Sequence, residues 1–118
     1  MNSYIALIFG AVLGSSLRYF ITILNYSIAG LPLTTVLVNI SGSALAGLFL
    51  NKVNGTSYIF LYIGLFGSFT TLSSFNIDLF NLLNDRLFIK AFLFFMLNIF
   101  LSFIFFYLFY LISIKLEN

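Results

Sequence analysis

Four apolar stretches decide what this chain can become. Residues 4–24, 32–50, 57–83 and 91–114 are mainly apolar, and the connections 25–31, 51–56 and 84–90 are short and polar. A transmembrane helix needs about 20 mainly apolar residues. Of the 118 residues, 62% are hydrophobic and 7% charged, where soluble domains carry about 25% charged residues. No soluble core of this size could hide that much apolar surface. The expected fold is an all-α membrane protein, a single four-span domain over residues 1–118. Pro32 is well placed to open the second helix, because its fixed φ suits a first helical turn. Met1-Asn2-Ser3-Tyr4 lacks the basic start of a signal peptide, and no small-x-small cleavage site closes the first apolar run. It reads as a retained span. Asn54-Gly55-Thr56 matches a glycosylation sequon, but an Asn-Gly turn between spans is the better reading.

Composition also excludes several functions. Cysteine and histidine are absent, which rules out disulfides, thiol chemistry and His or Cys metal sites. Three acids and five bases leave little for acid/base catalysis, and a net charge of +2 is too small and scattered for a nucleic-acid patch. No nucleophile–base pair or metal-ligand cluster is present, which argues against an enzyme. The 17 Phe read mainly as lipid-facing side chains.

Inside the third stretch lies Gly67-Ser68-Phe69-Thr70-Thr71-Leu72-Ser73-Ser74-Phe75, with four hydroxyls between Thr70 and Phe75. Hydrocarbon offers no hydrogen bonds, so such a cluster faces another helix, an ion or a pore. A continuous helix over 57–83 would reach roughly 40 Å against a core of roughly 30 Å. Two readings stay open. Either the helix breaks near Gly64, Gly67 and the hydroxyl run, or it is tilted and unbroken, with Ser and Thr bonding back to their own carbonyls.

Other polar faces converge on this depth. Asn39, Ser43 and Gly47 share one face of the second span at i, i+4 and i+8. Asn98 and Ser102 do the same in the fourth, and Gly10 and Gly14 form a GxxxG face in the first. Small and hydroxyl residues on such faces commonly serve helix packing. A mid-span Asn is costlier to place, so Asn39 and Asn98 point to function. Asp78 reads as a solvated interfacial carboxylate, with a place in an ion path as the alternative. With four spans, Lys52 and Lys115 share one side, and Arg86 and Lys90 the other, joined by Arg18 if it snorkels there. The positive-inside rule then gives almost no bias. Insertion in both orientations, with antiparallel pairing of two copies, is the expectation that follows.

These motifs resemble the Fluc/CrcB family of fluoride channels over nearly the whole chain. The family's first span leads through glycines to Arg-Tyr, matched by Gly10-Ala-Val-Leu-Gly14-Ser-Ser-Leu-Arg18-Tyr19. Its second carries Thr-x-x-Val-Asn-x-x-Gly-Ser, matched by Thr35-Val-Leu-Val38-Asn39-Ile-Ser-Gly42-Ser43. Its third carries Gly-Phe-x-Gly-Gly-x-Thr-Thr-Phe-Ser-Thr-Phe, matched by residues Gly64 to Phe75.

The resemblance implies an antiparallel, dual-topology dimer with two pores. A structural sodium ion would sit at its centre, on the backbone carbonyls of Gly67 and Thr70 at a break in the third span. The resemblance also implies that Asn39 donates to fluoride, that Phe75 offers a ring edge, that Ser74 supplies a hydroxyl, and that Asn98 and Ser102 form a polar track. Arg18 would stand near the vestibule. Leu72 occupies the place of the family's first phenylalanine, a clear departure. The implied function is passive export of fluoride across a bacterial cell membrane as a multi-pass protein. It would work as a homodimer or as a heterodimer with a paralogue that has both phenylalanines. A four-span multidrug-type transporter would need a Glu in the first span, and no Glu precedes Glu117. A holin-like or assembly subunit would scatter its small residues rather than align them.

Overall fold

The computed structural model describes residues 2–25 and 27–118; Met1, and Tyr26 in the first connection, lie outside the described residues. Helix α1 (Ser3–Leu24) starts where the Asn2 side chain accepts the Tyr4 N–H at 2.8 Å. It ends at Asn25, whose left-handed backbone (φ 47°, ψ 54°) turns its N–H back to the Thr22 carbonyl. Asn tolerates that conformation better than most residues. Strands β1 (Ser27–Ile28) and β2 (Leu31–Pro32) form a minimal antiparallel hairpin, Ser27 opposite Pro32 and Ile28 opposite Leu31. Ala29 and Gly30 take φ 54° and 81°, the pair of positive values that a two-residue type I′ turn requires.

Helix α2 (Leu33–Leu48) follows directly after Pro32. Its 16 residues rise about 24 Å, less than a bilayer core of about 30 Å. The helix closes at Phe49, and the chain reverses at Asn51, where φ is 65°. Among the described residues, three helical runs are long and apolar enough to cross a membrane: Ser3–Leu24, Gly55–Asn84 and Phe88–Glu117. The four helices thus fall on the four apolar stretches, the second shorter than the 32–50 the sequence suggests.

The third run is α3 (Gly55–Tyr58), a π-helical segment π1 (Ile59–Phe66) and α4 (Gly67–Phe69), followed after two residues by α5 (Leu72–Asn84). Those two residues, Thr70 (φ −78°, ψ 158°) and Thr71 (φ −149°, ψ 120°), are extended. The fourth run comprises α6 (Phe88–Met96), π2 (Leu97–Leu101) and α7 (Ser102–Glu117).

Small residues set the packing. A Cβ at Gly10 would strike the Phe60 carbonyl of π1, and one at Gly14 the Leu65 carbonyl and Ser68 hydroxyl. Backbones therefore approach directly where the GxxxG face meets π1. Gly47 brings α2 equally close to the Phe106 carbonyl of α7. The dry centre gathers Val36, Phe75, Leu82, Ala91 and Phe94. The outer faces are apolar and exposed, as hydrocarbon requires. At one end Lys52 pairs with Glu117 at 3.4 Å. At the other, a Cβ on Gly30 would lie 2.8 Å from Lys90 Nζ. The bundle thus holds Lys52 and Lys90 at opposite ends.

Candidate functional site

The two extended residues of the third run create the site. Outside helical geometry, the Thr71 N–H and C=O lose their helical partners, and buried backbone groups need replacements. Asn39 of α2 supplies both. Its Oδ1 accepts the Thr71 N–H at 2.8 Å, and its Nδ2 donates to the Thr71 carbonyl at 3.2 Å. The same Nδ2 donates to Asn98 Oδ1 of π2 at 2.9 Å. Asn98 Nδ2 in turn donates to the Phe94 carbonyl at 3.0 Å. One chain of amides therefore ties α2, the extended pair and the fourth run together.

This chain borders an open groove of ≈ 560 Å³. The groove collects Asn39, Leu72, Phe75, Asn98 and Ser102, together with Thr70 and Ser43, and no charged side chain lines it. Asn98 is 5% exposed and Phe75 4%. Phe75 stacks on Phe94 at 5.4 Å between centroids, which covers one ring face. Leu72 is 68% exposed and stands on the open side. Ser102 Oγ is buried and has no hydrogen-bond partner. Both Nδ2 protons of Asn39 are committed, so the uncommitted donors here include the Ser102 hydroxyl and the second amide proton of Asn98.

Arg18 and Ser74 lie elsewhere, in a second cavity of ≈ 200 Å³ that they share with Thr35 and Asp78. Successive helical residues point about 100° apart, so Ser74 and Phe75 face different spaces. Arg18 Nε donates to the Ser68 carbonyl at 2.9 Å. Asp78 Oδ2 accepts the Thr35 hydroxyl at 2.6 Å. Thr71 lines both the groove and this cavity.

Gly67 and Thr70 share a different property. In a helix the Gly67 carbonyl would accept from Thr71 N–H, which goes to Asn39 instead. The Thr70 carbonyl would accept from Ser74 N–H, which goes to Thr71 Oγ1 at 3.1 Å. Both carbonyls are left without a helical donor. Among the described residues no group of three His, Cys, Asp or Glu side chains could hold a metal.

Sequence reasoning missed Thr71 and Thr35 as site residues. Thr71 sits inside the hydroxyl run, where composition alone does not say which hydroxyl caps α5. Thr35 precedes Asn39 by four residues, and that spacing on one helical face was the available signal.

Comparison with known proteins gives consistent likenesses. The family profile described as "CrcB-like protein, Camphor Resistance (CrcB)" matches residues 5–110. "Fluoride-specific ion channel FluC 2" of Prochlorococcus marinus is 31% identical over 121 residues, covering 100% of this chain and 98% of the relative. "Fluoride-specific ion channel FluC" of Flavobacterium psychrophilum is 41% identical over 107 residues, covering 84% and 85%. "Fluoride-specific ion channel FluC 3" of Methanosarcina acetivorans is 39% identical over 93 residues, covering 78% and 84%.

Proposed function

The chain belongs to the CrcB-like protein family, and from that membership we propose that it is a fluoride-selective channel subunit through which fluoride leaves the cytoplasm passively. It is not an enzyme: the family relatives are named ion channels. The observation that carries the reading is the unpartnered Ser102 hydroxyl in a groove of neutral donors. A pore for a small, strongly hydrated anion must replace its water without trapping it. Neutral amide and hydroxyl protons do that more gently than a full positive charge. Phe75 adds to this, because a ring's rim is the positive part of its quadrupole. Asn39 acts through Asn98 in the resting arrangement, since both its protons are engaged.

The assembly belongs to the same proposal. Two copies, or this chain and a paralogue, pair antiparallel, and the exposed open side of the groove at Leu72 is where a partner would close it. The carbonyls of Gly67 and Thr70, stripped of helical donors, fit a sodium ion between the two chains. Such an ion would supply fixed positive charge that holds the pair together and favours a nearby anion. Arg18 and Ser74 then serve the approach to the pathway from their own cavity. The setting is a cell membrane.

The test is halide efflux from liposomes holding the purified chain. Fluoride should leave much faster than chloride without nucleotide or a proton gradient. Ser102→Ala should lower fluoride flux about fivefold, the effect of one lost hydrogen bond, with unchanged thermal stability because no protein partner is orphaned. Equal fluoride and chloride rates would reject selectivity; absence of both would move the reading to the heterodimer.

A further inference from the structure

Thr71 borders both the groove and the Arg18 cavity. All its polar groups are engaged. Its N–H and C=O grip the Asn39 amide at 2.8 and 3.2 Å. Its Oγ1 accepts the Ser74 N–H at 3.1 Å and lies 3.2 Å from Ser73 Oγ. The first contact fixes polarity. A primary amide can pair with a peptide in one sense only, since the flipped amide would set oxygen against oxygen and N–H against N–H. Thr71 therefore decides that Asn39 Nδ2, not Oδ1, meets Asn98 Oδ1 at 2.9 Å. That contact in turn turns Asn98 Nδ2 toward the Phe94 carbonyl and keeps a proton free for the groove. The second contact, the hydroxyl capping α5, holds the Thr71 peptide in place against rotation.

We infer that Thr71 is a positioning residue: its capped turn orients the Asn39 amide, and through it Asn98, so that the groove presents donors and not acceptors to an anion. The inference deepens the channel reading and rests on it for its functional consequence. Reversing the polarity would face a carbonyl oxygen toward the place of the anion. Selectivity should then suffer before folding does.

The experiment compares Thr71→Val with Thr71→Ser in liposome efflux. Val keeps the β-branched shape and extended backbone but removes the cap; Ser keeps the oxygen. Thr71→Val should lower the fluoride-to-chloride rate ratio about fivefold, and Thr71→Ser should restore it toward the wild-type value. A purely structural role would lower both rates together, so an unchanged ratio in Thr71→Val overturns the inference. A wild-type chain that passes neither halide moves the channel reading to the heterodimer and does not bear on the clamp. The positioning role is then read from the side-chain amide signals of Asn39 and Asn98 in ¹⁵N-labelled protein in micelles. They should shift in Thr71→Val and stay in Thr71→Ser; signals that stay in both overturn it. If Thr71→Val does not fold, the wild type still decides. Its Asn39 amide protons should exchange slowly with water, and fast exchange rejects the clamp.

Discussion

Leu72 stands 68% exposed on the open side of the groove, while Phe75, one turn on, is 4% exposed. An aliphatic side chain there has no positive rim to offer an anion, so Leu72→Phe should raise fluoride flux by the homodimer about fivefold, given an aromatic contact of about 1 kcal/mol. Unchanged liposome efflux would count against the ring-edge argument at this position. At this scale much of the groove could be read from the sequence. Asn39 and Asn98 stand out because a mid-span Asn is costly, Ser102 enters the pathway only through the family resemblance, and the three do come together. The partners of Asn39 were not legible. They depend on which peptide of the third run leaves helical geometry, and that is set by contacts between helices, not by the local residues. The resemblance puts Ser74 and Phe75 on one pathway, but the helical turn sends them to different cavities.

Among the elements, α2 and α7 meet through Gly47, whose added Cβ would strike the Phe106 carbonyl backbone. Backbone cannot move aside as a side chain can. Gly47→Val should therefore destabilise the fold by about 1–3 kcal/mol, measured as a lower denaturation midpoint in detergent. An unaltered midpoint would mean the two helices can separate freely. The face itself was readable, since Asn39, Ser43 and Gly47 recur every four residues. Positions of the four helices were readable too, because hydropathy responds to length in the bilayer. The π-helical segments Ile59–Phe66 and Leu97–Leu101 were not. Their looser winding leaves no composition signature; it lets the helix shift its register where Gly10 and Gly14 bring α1 close, and where Asn98 must turn inward.

At the scale of the whole molecule, Lys52 and Lys115 face Arg86 and Lys90 from opposite ends, and Arg18 lines the cavity beside Asn25 and Pro32. Insertion guided by such balanced charge should yield both orientations. A tag at the C-terminus should be cleavable by protease from either face of the membrane, in comparable amounts; protection on one face alone would remove the homodimer version of the assembly. The same molecule distributes its tolerance for sequence change unevenly. Asn39 has bonds to three polar groups on two other runs, so its loss strands all three at once. Leu72 sits mostly outside the packed interior, and the fold asks almost nothing of it. Genetic drift can therefore rewrite position 72 without the chain ceasing to fold or insert. A gene copied and released from selection for conduction would lose its phenyl group there long before it lost its asparagines.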